Sequence, residues 1–416
     1  MDNETKLKET SLKLSIKEGA SCSAMIGLAE SYIAPYAIAV GALPFQIAIL
    51  TSIPNLFGSL AQLVSIKFMQ SHSRKGITTR FVFANALMWL PMIGSLYAYY
   101  RQVITFIPLL IISIWTFYLL LINVAAPAWQ SWMGDLVPEA SRGKYFGIRN
   151  TICNSVLLVS TLLGGMLLDH FKKLNLILVG FGVLFFVGML FRLLSAFILT
   201  KQYEPHIRFD SSYYFSFPEF IRRMRGNNFG RFVIFVMLTT LSCCIAVPFF
   251  APYMLRDLKF NYTLFILIAI VTPTISSIIT APLWGRFSDK FGNIATLRIC
   301  SLVICFIPLS WLLSRNPYYL IFVPQTIGGA AWAGFGLATS NFIYDAVTRQ
   351  RRGLCFAYYN VLNGIGIFIG ATIGSFIVKL PIHFMNIFLF IFLISSILRL
   401  IVFTVMLPKI KEVKFS

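Results

Sequence analysis

Apolar residues run through this chain in stretches of about twenty, separated by short polar or basic breaks, and that length lets a helix cross about 30 Å of hydrocarbon. Twelve such windows are predicted, at residues 19–41, 45–66, 79–100, 104–126, 146–168, 174–199, 230–254, 262–283, 296–314, 318–344, 354–378 and 383–407. Six fall in each half. The predicted fold is all-α and integral to a membrane. It comprises an N-terminal tail over 1–18, a six-helix bundle over 19–199, a linker over 200–229, a second bundle over 230–407 and a C-terminal tail over 408–416. Pro218 and Glu219, before the basic run Ile221 to Arg225, predict a short amphipathic helix in the linker, lying on the inner leaflet.

The two halves echo one another. Asp135, Arg142, Gly143, Phe146 and Asn150 recur in register as Asp345, Arg352, Gly353, Phe356 and Asn360, 210 residues later. Phe191-Arg192-Leu193 is answered by Leu398-Arg399-Leu400. A single internal repeat in so apolar a chain implies two symmetry-related membrane bundles, the arrangement in which carriers hold substrate between halves.

Composition agrees, with 57% hydrophobic and 12% charged residues, which excludes an ordinary soluble domain. The formal charge of +20 is an orientation signal. With a cytoplasmic N-terminus, 26 of the 35 Lys and Arg fall in the tails, loops and span ends on the cytoplasmic side, and 7 on the other side. This asymmetry sets both termini in the cytoplasm and offers a grip on anionic lipid rather than a nucleic-acid footprint. The seven cysteines lie in or beside predicted spans without a CxxC pair, so neither disulfide nor zinc chemistry is expected. A span follows the polar first 18 residues and is too long for a signal-peptide core, so it is expected to be a retained anchor.

Gly285-Arg-Phe-Ser-Asp289-Lys290-Phe-Gly292-Asn293 lies between windows eight and nine. With six plus six helices and a basic central loop, it resembles the major facilitator superfamily, whose loop signature is Gly-x-Leu-Ala-Asp-Arg-x-Gly-Arg-Lys. The resemblance covers essentially the whole chain. It implies that Asp289 gates the cytoplasmic side by facing a helix start in the other half near Arg142-Gly143; a solvated helix cap is the alternative. For Asp135 with Arg142 and Asp345 with Arg352, inter-helix latches and plain turn-and-cap chemistry both stay open. The chain departs from the family at Lys67–Gly76, which has no Asp, and in window four, which has no charge. The family's antiporter pattern in window five survives only as Gly164-Gly165.

Glu30, near the middle of the first window, is the candidate for function. An ionisable group at the bilayer centre costs about 2.5–3.5 kcal/mol or more, so it should face the bundle interior or water. Withdrawal from water favours a carboxyl's neutral form, as a reversible proton carrier requires. Proton coupling and capture of a cationic substrate group are the functional readings, and a structural acid is the alternative. Arg192 and Arg399 are expected to snorkel to the cytoplasmic interface, with anion binding as the alternative. Asn55, Asn123, Gln325, Trp332, Asn360 and Asn363 are candidates for a substrate cavity, although such groups also join helices. Gly366, Gly370 and Gly374 mark close helix packing.

The leading expectation is a secondary carrier for a small solute, working by alternating access and coupled to protons through Glu30. An uncoupled facilitator, an uptake symporter for a polar organic solute and a non-transporting sensor are alternatives. An integral membrane enzyme would need clustered acids or histidines, and His72, His170, His206 and His383 are scattered. No phosphate-binding loop for a primary pump is present. The expected partners are substrate and lipid, without cofactor, for a monomer in a bacterial inner membrane.

Overall fold

The computed structural model describes residues 3–69, 71–103, 106–138, 142–205, 216–224, 226–347 and 351–413. The side chains at 3–5, 66, 142–144 and 352–353 lie outside the described residues. Regular structure among the described residues is helical throughout.

Among the described residues, eleven helices are long and apolar enough to cross a membrane, and they are numbered here as spans 2 to 12 in chain order. They are Pro44–Ser65, Arg74–Tyr100, Ile107–Leu136, Tyr145–Lys173, Ile177–Thr200, Asn228–Asp257, Tyr262–Phe291, Asn293–Ser310, Pro317–Ala346, Leu354–Ile377 and Ile387–Lys409. Span 1 precedes them as two helices, Asn3–Leu28 and Ile33–Ala39, joined by a tight 3₁₀ turn at Glu30–Tyr32. The interruption has a covalent cause. Pro35 has no N–H to give the carbonyl of residue 31. Ser31 Oγ turns back instead to the Ile26 carbonyl, at 3.0 Å.

Span 7 breaks in the same way. Its first helix, Asn228–Cys244, gives way to a 3₁₀ turn at Val247–Phe249, with Pro248 and Pro252 as the breakers. Ala34-Pro35-Tyr36 and Ala251-Pro252-Tyr253 sit at matching places after the two breaks.

Two corrections follow for the expected boundaries. The first helix begins at Asn3, so most of the expected tail is helical. Polar residues extend this helix past the hydrocarbon-length window, and Ser11 and Ser15 on it are buried. The linker helix forms at Phe217–Met224. Phe220 on its apolar face packs on Tyr358 of span 11, with ring centroids 5.1 Å apart, so protein covers that side.

The chain divides into two compact units, Met1–Ala42 with Phe57–Asp210 and Leu43–Leu56 with Ser211–Ser416. In the first, Tyr36, Trp89, Phe181 and Phe185 pack ring against ring in the core. In the second, span 11 lies close against span 7. A Cβ added to Gly366 would meet the Met237 carbonyl at 2.7 Å, and one on Gly374 the Ile245 carbonyl at 2.5 Å.

Candidate functional site

The first unit carries a polar column along one face of span 1. Glu30 opens the turn where the helix breaks, and Tyr118 of span 4 donates its hydroxyl hydrogen bond to the Glu30 carboxylate. Tyr118 is fixed by Trp115, stacked at 4.6 Å, and by Trp89 at 5.3 Å. Asn85 of span 3 donates to the Tyr118 carbonyl at 3.0 Å and accepts from Arg192 Nε at 2.9 Å. A second nitrogen of Arg192 reaches Cys22 Sγ at 3.0 Å. Arg192 is 2% exposed and is paired inside the bundle rather than snorkelling, which corrects the expectation from sequence. The cause is local, because Asn85 and Cys22 satisfy the guanidinium where it stands.

About three helical turns before Glu30, the same helix carries Glu18, which is 5% exposed. It accepts from Ser195 Oγ at 2.8 Å and pairs with Arg149 at 3.3 Å. The Arg149 guanidinium lies 4.6 Å from the Trp129 ring centroid and also donates to the Ser15 carbonyl. Glu30 is therefore not the only acid inside the bundle. Glu18 escaped notice because the apolar window starts one residue after it. A buried ion pair of this kind persists only where other hydrogen bonds satisfy the remaining lone pairs and protons, as Ser195 and the Ser15 carbonyl do here. Gly164, left over from the antiporter pattern, makes room for a ring: a Cβ there would sit 2.7 Å from Tyr32. Tyr32 in turn donates to the Thr161 carbonyl.

Three other positions form one motif twice, once in each unit. In the first unit, Arg74 opens span 3, Asp135 lies at the end of span 4 and Glu204 follows span 6. Arg74 forms an ion pair with Asp135, while its backbone N–H donates to Glu204 at 2.9 Å. In the second unit, Asn293 opens span 9, Asp345 lies at the end of span 10 and Glu412 follows span 12. Asn293 Nδ2 donates to Asp345 at 2.8 Å. The carboxylate of Glu412 accepts the N–H groups of Asn293 at 3.0 Å and Ile294 at 2.7 Å. Glu204 and Glu412 thus each cap a helix N-terminus, where free N–H groups attract an anion, while Asp135 and Asp345 hold the side chains of Arg74 and Asn293.

Sequence reasoning found Asp135 and Asp345 but missed Arg74, Glu204, Asn293 and Glu412 as their companions. The partners of Asp135 and Asp345 described here are Arg74 and Asn293. The side chains of Arg142, Gly143, Arg352 and Gly353 lie outside the described residues. Asp289 is exposed on the last helical turn of span 8, which runs on to Phe291. Gly285 is helical, whereas Gly292 makes the turn with φ +92°.

The candidate cavity residues separate. Asn55 bonds to the Thr51 carbonyl of its own helix at 2.8 Å. Asn123 accepts from Gln62 at 2.8 Å and joins spans 2 and 4. Asn363 accepts from Thr240 at 3.2 Å across spans 11 and 7. Asn360, on the same helix, is half-buried. Gln325 and Trp332 line a cavity of about 280 Å³ in the second unit.

Residues 229–415 match the family model of the Major Facilitator Superfamily. Multidrug resistance protein MdtG of Salmonella arizonae is 24% identical over 283 residues, covering 63% of this chain and 65% of that protein. MdtG of Salmonella schwarzengrund is 25% identical over the same shares. The match thus spans just under two thirds of these relatives' length. Among solved structures, the nucleoside transporter NupG superposes with a TM-score of 0.68 at 12% identity, covering 97% of this chain and 99% of that one. A bacterial homologue of the iron transporter ferroportin, in its inward-facing state, gives 0.72 at 14%, covering 98% and 99%. The xylose transporter XylE from E. coli, inward open, gives 0.65 at 14%, covering 99% and 97%. At such identities the likeness is one of fold.

Proposed function

We propose that this chain is a secondary carrier of the major facilitator superfamily, moving a small organic solute by alternating access, with Glu30 as its proton-coupling group. The observation that carries the coupling role is the site of Glu30. It sits where the first span breaks, receives a hydrogen bond from Tyr118 and interacts electrostatically with Arg192. Interrupted helices in carriers expose backbone and side-chain groups to a solute at mid-membrane depth. A carboxyl at such a break gains or loses its proton as solute binds, and Tyr118 and Arg192 respond to its charge.

Similarity to the multidrug resistance protein MdtG favours export of an amphiphilic compound over uptake. We place both termini in the cytoplasm of a bacterial inner membrane, because the basic residues cluster on that side, and take the carrier as a monomer. The two capped clusters, with Asp135 and Asp345 at their centres, act as cytoplasmic latches that hold span ends together during transport. Asp289, exposed at the last turn of span 8, is the gate acid.

Ligand-induced thermal stabilisation tests this reading. Purified protein and Glu30→Gln are screened at acid and neutral pH against metabolites and drugs. A solute should stabilise the wild type in a pH-dependent way, and the variant should lose the pH dependence. Stabilisation unaffected by pH and by the substitution would leave Glu30 structural.

A further inference from the structure

In the second unit, three spans leave α-geometry and meet at one place. Wider π-turns occur at Tyr253–Asp257 in span 7, Leu267–Val271 in span 8 and Ile321–Gln325 in span 10. Single π-turns recur at functional sites, where they redirect a helix face. Each contributes to the wall of the cavity of about 280 Å³: Met254 from the first, Ala269 from the second, Pro324 and Gln325 from the third.

Two of the residues that line the cavity, Arg399 and Trp311, each keep a buried N–H without a partner. Arg399, 5% exposed, donates from one terminal nitrogen to the Ile304 carbonyl at 2.9 Å and from the other to the Cys243 carbonyl at 3.5 Å. Its Nε has no partner. Trp311, 1% exposed, has an unpartnered Nε1. A buried donor left without an acceptor is costly, most of all on a charged group such as the Arg399 guanidinium. The matching arginine of the first unit has no such deficit: Arg192 gives its Nε to Asn85. The orphaned Nε is therefore not something the repeated fold imposes. No Asp or Glu is among the described residues lining the cavity, so the charge of Arg399 meets no carboxylate there. The rest of the wall is largely apolar and aromatic. Phe250 and Trp311 lie 4.8 Å apart, and Trp332, 42% exposed, stands at the edge.

We propose that this cavity binds an apolar, aromatic organic anion, its carboxylate on Arg399 and Trp311 and its ring against Phe250 and Trp332. With both terminal nitrogens held by the Ile304 and Cys243 carbonyls, the Nε–H of Arg399 is left to give a carboxylate a charge-assisted hydrogen bond, about twice as strong as a neutral one. Gln325 supplies a further amide at the rim. As a lodging place for the transported solute the assignment rests on the carrier reading; as a binding site it stands without it.

The test uses full-length protein in detergent with two probes of matched size, 2-naphthoate and 2-naphthamide, and follows tryptophan fluorescence and calorimetric binding. Naphthoate should bind at least tenfold more tightly than naphthamide. In Arg399→Gln the preference should collapse to less than threefold, whereas Arg399→Lys should retain most of it. Trp311→Phe keeps a ring but loses the N–H, and should weaken naphthoate several-fold. Equal binding of the two probes, no saturable binding of naphthoate, or a preference untouched in Arg399→Gln would each overturn the assignment. If Arg399→Gln does not fold, Trp311→Phe decides, and unchanged naphthoate affinity there overturns it. Because these measurements involve neither transport nor Glu30, their failure leaves the coupling proposal standing, and failure of coupling leaves the binding site standing.

Discussion

Asn85 joins three helices with one side chain. Its amide nitrogen donates to the Tyr118 carbonyl of span 4 and its oxygen accepts from Arg192 of span 6, so removing it orphans the buried Arg192 Nε and takes a second donor from a helical carbonyl. Asn85→Ala should lower stability by about 1–3 kcal/mol, the cost of unsatisfied buried polar groups. Thermal unfolding of the purified protein reads that loss. Asn55→Ala gives the contrast: its amide bonds only within its own helix, so its effect should stay within about 0.5 kcal/mol. Sequence alone could not separate these two residues. Both are amides in apolar windows, and only contacts remote in sequence distinguish them. Glu30 was legible because a carboxyl in mid-window violates the pattern. Tyr118 was not, because aromatic residues fill the window around it and nothing marks one hydroxyl as the partner.

At the scale of the element, eleven of the twelve expected spans were legible from a run of apolar residues, because the hydrocarbon core demands the length and fixes the chemistry. Helix ends were not, because a helix continues past the bilayer wherever polar side chains find partners. Span 1 reaches back to Asn3 and span 4 on to Leu136 for this reason. The breaks in spans 1 and 7 could be suspected from Pro35 and Pro252, yet the π-turns depend on tertiary packing that no local signal records. The glycines of span 11 read correctly as contact points. Gly366→Ala would push a methyl against the Met237 backbone carbonyl, which has no rotamer by which to move aside. It should destabilise by about 1–3 kcal/mol, as overpacking does. Gly336→Ala in span 10 meets open space and should be neutral or stabilising by up to about 1 kcal/mol. Paired melting curves of the two variants check the contrast.

Across the whole molecule, the internal repeat was visible in the Asp135 and Asp345 cassettes, but what these acids hold was not. Arg74 lies 61 residues from Asp135, and Asn293 lies 52 from Asp345. Glu204 and Glu412 sit in polar segments that resemble ordinary tails. The structure joins them into one capped cluster per unit, and the arginine of the first is replaced by an asparagine in the second. Glu412→Ala should cost about 0.5–2 kcal/mol, as loss of a helix N-cap does, and Glu204→Ala a similar amount in the other unit. Their effects should add within about 0.5 kcal/mol in the double variant, because the two clusters share no partner. Marked non-additivity in thermal unfolding would contradict independent clusters.

The central claim is that Glu30 links solute movement to a proton. Proteoliposomes loaded with a pH-sensitive dye test it most directly. A solute that stabilises the purified protein is added outside at fixed pH, and lumenal pH is followed for wild type and Glu30→Gln. The account predicts a solute-dependent pH change with wild type and none with Glu30→Gln, although the variant still binds the solute. An equal pH change with both proteins would contradict it.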